Sequence, residues 1–318
     1  MSKNYCDKLQ QRKALLDELG GLPETIVENQ EWLYMLEEET RHSLSIEGYF
    51  ATEQELKAIL RGRKSKPEIL NYYRTAQTLY DLGLQYYRDR MLWLNLPLVR
   101  HIHSELFREV GFFSSSRGLF RQGTITIQGA KVKPPVLDLE EYIRVFCKFS
   151  VQCWKNYPIL AALALIHTLF ESIHPFEDGN GRVGRILLNY LAVSQGYPPI
   201  VIKGIQKEER ERYYQALESA DRGFHQGFPP PSIESLEQRL KLGQFQPLEQ
   251  LLYEGLKPRL DQMVGATLEL KEPLLEFKDL ALHFGVKEGT LRQWVSRDKL
   301  IAIKRGNKLY SHPSLYLS

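Results

Sequence analysis

Apolar residues recur at intervals of three and four along most of this chain, and stretches of strict alternation are few. That spacing gathers apolar side chains on one face of a helix and predicts a mainly α-helical fold. Leu15, Leu16, Leu19 and Leu22 make a first short pattern, interrupted at Gly20-Gly21 and Pro23. Trp32, Leu33, Met35 and Leu36 set against Glu37, Glu38 and Glu39 predict a second helix, with Gly48 as its stop. Thr52 and Glu55 form a capping-box pattern ahead of Leu56, Ile59 and Leu60. Further helices are expected over 69–86, 98–107, 159–170, 186–193 and 208–220, with another running from Asp138 as N-cap to Tyr157 and two more before Pro273. The tyrosines of 69–87 (Tyr72, Tyr73, Tyr80, Tyr86, Tyr87) read as core packing at that spacing. Thr124 to Ile127 alternates, turns at Gln128-Gly129 and stops at Pro134-Pro135, which predicts a short β-hairpin.

The C-terminal piece differs in pattern. Leu280, Phe284-Gly285, Thr290-Leu291 and Trp294 fall at helix-turn-helix spacing. Leu300 to Ile303 and Leu309-Tyr310, on either side of Arg305-Gly-Asn-Lys308, predict a small wing, so a winged helix-turn-helix domain is expected over 271–318. Nine Lys and Arg there face five Asp and Glu, an excess too small to decide between DNA and protein as its partner. Gly227 to Pro231 reads as a stiff linker.

Composition changes this picture little. A hydrophobic fraction of 43% and a charged fraction of 25% are ordinary for a globular chain with two or three domains. The net charge of +3 selects no class of partner. Cys6, Cys147 and Cys153 form neither an even set nor a C-x-x-C pair, which points to a reducing compartment. Residues 1–13 are polar and the longest apolar run, 159–170, is too short to span a bilayer, so a cytoplasmic protein without a membrane partner is expected.

The chemistry gathers in His174-Pro-Phe-Glu-Asp-Gly-Asn-Gly-Arg-Val-Gly-Arg185, between two apolar helical runs. The loop offers an anion backbone N–H groups, a helix N-terminus and two guanidinium groups, with a titratable base in His174 and a magnesium ligand in Asp178. Gly179, Gly181 and Gly184 match the dinucleotide fingerprint by letter, but a helix rather than a strand precedes them. A phosphate loop would need lysine at Arg185 and a hydroxyl at Ile186. A calcium loop fails at Arg182, Val183 and Asn189.

The whole string resembles the signature of the Fic (Fido) proteins, H-P-F-x-[DE]-G-N-G-R-x-x-R, with every place filled. The resemblance implies a helical bundle with a hairpin flap, and a nucleotidyl transferase that moves AMP from ATP to a Tyr, Thr or Ser hydroxyl of a target protein, self-modification included. It divides the chain into an N-terminal helical region 1–92, a core 93–230 that contains the G-x-F-R lead of Gly118 to Arg121, a helical linker 231–270 and the winged piece 271–318. His174 would be the general base and Asp178 the magnesium ligand. The nucleotide would lie on Gly179, Asn180, Gly181, Arg182, Val183, Gly184 and Arg185, with Gln128 and Gly129 of the flap above it. Near the adenine the resemblance places Tyr213, Tyr214 and Asp221, where relatives carry asparagine in place of Asp221. Ser43-x-x-x-Glu47-Gly48 is similar to the family's inhibitory motif, which implies that Glu47 obstructs the γ-phosphate place at Arg185. Two alternatives remain: a DNA-binding regulator whose nucleotide site is a sensor, with Arg292 and Arg305 as its output, and transfer of phosphate or UMP on the same scaffold.

Overall fold

The computed structural model describes residues 2–23, 30–61, 63, 65–111 and 115–317. Among them the helices follow the apolar period: α1 (Ser2–Leu19), α2 (Gln30–Ile46), α3 (Glu53–Leu60), α4 (Pro67–Arg88), α5 (Leu96–Leu106), α6 (Leu139–Asn156), α7 (Ile159–Ile173), α8 (Asn180–Ser194), α9 (Lys207–Ala220), α10 (Ile233–Leu240) and α11 (Gln246–Glu269). Helix α7 is apolar on nearly every side and is the buried centre of the bundle. Helix α4 lies along α8, where a Cβ on Gly83 would stand 3.1 Å from the Tyr190 carbonyl oxygen; the missing side chain lets the two backbones approach. Tyr72, Tyr73 and Tyr80 of α4 are core residues, as their spacing predicts. One continuous apolar core runs from Cys6 in α1 through Leu268 in α11 to Ile301 and Leu315 near the C-terminus, and α2 packs directly on the central helices within it.

Local signals account for several boundaries. Thr52 and Glu55 make both bonds of the capping box of α3. Gly48 stops the chain after α2 with φ +81, a left-handed conformation that glycine adopts without cost. Asp138, expected to cap α6, does not: it sits at φ 57 with no side-chain cap bond. The expected hairpin over 124–135 also lacks a strand ladder. Its backbone polar groups find other partners. Ala130 N–H closes a turn on Ile127 O, Lys133 N–H donates to Phe224 O, and the Arg121 guanidinium donates to the carbonyls of Gly123 and Pro135.

The C-terminal piece has its own small core of Phe277, Leu280, Ala281, Leu291 and Leu300. Strand β1 (Leu275–Glu276), helices α12 (Phe277–Phe284) and α13 (Glu288–Ser296), and strands β2 (Ile303–Arg305) and β3 (Lys308–Ser311) form two helices against an antiparallel sheet of order β1-β3-β2. The strand expected from Leu300 begins only at Ile303, Leu300 making a single bridge to Tyr316. Among the described residues no helix is long and apolar enough to cross a membrane.

Candidate active site

The loop between α7 and α8 is held from both sides. His174 is the C-cap that follows α7, at φ 49, and its Nδ1 lies 3.2 Å from Glu171 O. A ring nitrogen facing a carbonyl carries the proton, which leaves Nε2 with the lone pair. Burial pushes the imidazole down to about 4, so it is neutral at physiological pH. Arg121, itself buried, donates from Nε to His174 O at 2.8 Å and so ties the flap to the histidine.

The next residues are fixed by their own side chains. Asn180 accepts from Phe176 N–H at 2.9 Å and donates to Phe176 O at 2.8 Å, bracing the turn that sequence reading assigned only to backbone contacts. His103, which no sequence signal singled out, stacks on Phe176 with ring centroids 3.9 Å apart. Its Nδ1 accepts from Gly118 N–H and its Nε2 reaches Asp178 O at 3.2 Å. Asp178 caps the turn: Gly179 N–H donates to Oδ1 at 2.6 Å, so that N–H is not free for an anion as expected. The N–H groups of Asn180 and Gly181, in the first turn of α8, have no intrahelical acceptor by position.

The two arginines part company. Each answers a carboxylate of the chain: Arg185 meets Glu47, the residue expected to obstruct it, while Arg182, expected on a phosphate, meets Asp178. Arg182 Nη2 donates to Asp178 Oδ2 at 3.0 Å, and its guanidinium lies over the rings of Phe107 and Tyr49 at 4.8 and 5.3 Å. Arg185 turns toward α2. Its Nε donates to Ser43 Oγ at 2.6 Å, and its Nη2 to Ser43 O at 3.1 Å and to Glu47 Oε1 at 2.6 Å. Tyr72 OH steadies Ser43 Oγ at 2.7 Å. Glu47 Oε1 would stand 2.4 Å from a Cβ on Gly181, so the carboxylate lies on the first turn of α8, where an anionic ligand would sit.

Other expected nucleotide residues are placed differently. Val183 is buried, its N–H spent on Gly179 O, and Gly184 faces α7, where a Cβ would stand 2.0 Å from Glu171 Oε1. Tyr213 is buried with its hydroxyl 2.7 Å from His167 Nε2, a packing role rather than an exposed binding surface. Tyr214 is half exposed, but its hydroxyl is bonded to Ile46 O at 2.9 Å. Asp221 is buried against His225 Nε2 at 2.6 Å, and burial raises its carboxyl to about 6. His225 borders an open cleft of about 490 Å³ between Lys131 of the flap and Glu218 and Arg222. Gln128 and Gly129 form the exposed turn of the flap. Glu171 was not anticipated; its Oε1 is buried without a hydrogen-bond partner, and burial pushes the carboxyl up to about 8.

Residues 93–192, which include this loop, match the model of the Fic/DOC family. A probable protein adenylyltransferase of Aquifex aeolicus is 29% identical over 291 residues, 86% of this chain and 84% of its own length. The protein adenylyltransferase Fic of Aedes aegypti is 30% identical over 189 residues, 57% of this chain and only 36% of that relative. A Fic domain containing signaling protein from Bacteroides thetaiotaomicron has the same fold, with TM-score 0.59 and 18% identity over 80% of this chain and 97% of that one. Fic-1 of C. elegans follows at TM-score 0.56 and 17% identity, covering 85% of this chain and 74% of that one.

Proposed function

We propose that this chain, whose residues 93–192 match the Fic/DOC family model, is a protein adenylyltransferase that moves AMP from ATP to a side-chain hydroxyl of a protein and is held back by Glu47. The observation that carries the reading is the His174 ring, whose Nδ1 is engaged by Glu171 O and whose neutral Nε2 is left with its lone pair, in the loop that leads into the N-terminus of α8. In the transfer, Nε2 takes the proton of the attacking hydroxyl as the new O–Pα bond forms. The Pα–O bond to the β-phosphate breaks, and pyrophosphate leaves. The N–H groups of Asn180 and Gly181 stabilise charge on the phosphoryl oxygens, aided by the dipole of α8.

Asp178, with its side chain 40% exposed, suits an ion that keeps most of its water and shares the phosphates. A magnesium ion held there would neutralise phosphate charge. Arg182 and Arg185 would then exchange their carboxylate partners for the β- and γ-phosphates. With Glu47 on Arg185, the γ-phosphate place is taken and ATP cannot present its α-phosphorus in line.

Support for a DNA-binding output is weaker. Two of the three basic residues of the 303–311 hairpin are already paired with carboxylates: Arg305 donates to Glu269 and Lys308 to Glu276, while Arg292 of α13 lies 3.7 Å from Glu288. Three buried free cysteines accord with a cytoplasmic setting. The tyrosine-rich α4 is a poor site for self-modification, since its central hydroxyls lie in the core; Tyr34, Tyr49, Tyr214 and Tyr316 are the more exposed ones. The test is mass spectrometry of a cell lysate incubated with ATP, magnesium and the purified Glu47→Gly variant. An AMP adduct on a Tyr, Thr or Ser hydroxyl supports the reading, and adducts of phosphate or UMP alone refute it.

A further inference from the structure

Glu47 stands one residue beyond the end of α2, so its hold on Arg185 depends on what keeps that last turn in place. Two contacts come from outside the α8 site. The Tyr214 hydroxyl, in the second turn of α9, donates to Ile46 O, the carbonyl just before Glu47. One turn earlier in α2, His42 Nδ1 accepts from Gly204 N–H at 3.1 Å. Gly204 is pressed onto α2: a Cβ there would stand 2.2 Å from Ile46 Cγ1 and 2.9 Å from His42 O. Arg210 of α9 binds the carbonyls of Gly204 and Ile205 at 2.9 and 2.8 Å, so this segment is carried by the same helix as Tyr214.

We propose that α9 is the latch of the inhibitory helix: Tyr214 and His42 are positioning residues that keep the Glu47 carboxylate on Arg185. This rests on the inhibitory role given to Glu47 above. Tyr214 is 50% exposed and adjoins buried Tyr213, so a ligand or partner that engages its ring also bears on the latch. The His42 contact requires an unprotonated Nδ1, and burial lowers the ring below its ordinary 6.5. Glu38 and Arg41 of α2, Lys203 of the preceding segment and Glu209 of α9 are the charges that act on it. The sign follows from the lowered value: the latched state prefers the neutral ring, so the latch is complete above pH 6.5 and weakens as pH falls below it.

The experiment compares AMP incorporation from ATP labelled at the α-phosphate by wild type, Tyr214→Phe, His42→Ala, His42→Asn, Glu47→Gly and Glu47→Gly/His42→Ala. Each lost latch bond should raise labelling about two- to tenfold, the range of one intramolecular hydrogen bond. His42→Asn places an oxygen where Nδ1 stood and should stay near wild type at every pH, whereas wild type climbs toward Glu47→Gly as pH falls below 6.5. His42→Ala should add nothing once Glu47 is glycine. If Glu47→Gly is more active but Tyr214→Phe and His42→Ala match wild type, the latch is wrong and the inhibitory role of Glu47 stands. An equal gain from His42→Ala in the Glu47→Gly background also overturns it. No gain in Glu47→Gly removes both.

Discussion

Replacing Glu47 with glycine should turn a nearly silent protein into an active one. Glu47 Oε1 is 2.6 Å from Arg185 Nη2, a charge-assisted bond with the arginine 3% exposed and the glutamate 25% exposed. Such bonds contribute about 1.5–3 kcal/mol, which is about 10- to 150-fold in how often Arg185 is free. Partial exposure of the glutamate puts the expected gain toward the lower part of that range. Little folding is at stake, because Glu47 lies in the turn after α2 and Ser43 still accepts from both Nε and Nη2 of the arginine. The nucleotide-free variant should nevertheless melt somewhat earlier, since a buried guanidinium loses one anion, and ATP should raise its melting temperature more than that of wild type. Purified proteins at equal concentration with saturating ATP and magnesium, read as AMP incorporation, decide the matter. Equal or lower incorporation by Glu47→Gly would refute the inhibitory reading, and an ATP-induced stabilisation no larger than wild type's would refute the exchange of partners at Arg185.

Other outcomes follow from the same geometry. Asp178→Ala should abolish the effect of magnesium on nucleotide affinity, measured by calorimetry with and without the ion; an unchanged magnesium response would place the ion elsewhere. Asn180→Ala leaves the Phe176 N–H and C=O without their partners and should cost about 2–4 kcal/mol in urea denaturation; a loss under 0.5 kcal/mol, roughly the effect of a plain surface change, would show that the brace is idle. Because burial holds His174 near 4 rather than 6.5, its neutral form persists as pH falls. Labelling by Glu47→Gly should therefore change little between about pH 7 and pH 5.5, and a loss of half the rate near 6.5 would mean an unperturbed base.

Most helices were legible in the apolar period, and the candidate active-site loop in its twelve-residue string, because both are local patterns. What stayed hidden was tertiary. Nothing near Asn180 in the sequence tells its amide from its N–H, and His103 lies 75 residues before the Asp178 carbonyl it meets. The Glu47 partner of Arg185, 138 residues distant, was legible only through the resemblance of the Ser43-to-Gly48 motif, whereas the hold of Asp178 on Arg182 and of Ser43 on Arg185 was not legible at all. The flap's alternation suggested strands, but its backbone groups were claimed by Arg121 and Phe224, which no period reveals. Tyr213 and Tyr214 are adjacent in sequence, yet a helix turns neighbours about 100° apart, so one is buried and the other half exposed.

The most direct test uses ATP labelled at the α-phosphate or at the γ-phosphate, offered to Glu47→Gly and to Glu47→Gly/His174→Ala, with protein-bound label counted after denaturation. AMP transfer with His174 as base requires α-label on protein, no γ-label, and a fall of about 10²–10⁴-fold in the double variant. Retained γ-label, or α-label undiminished without His174, would contradict it.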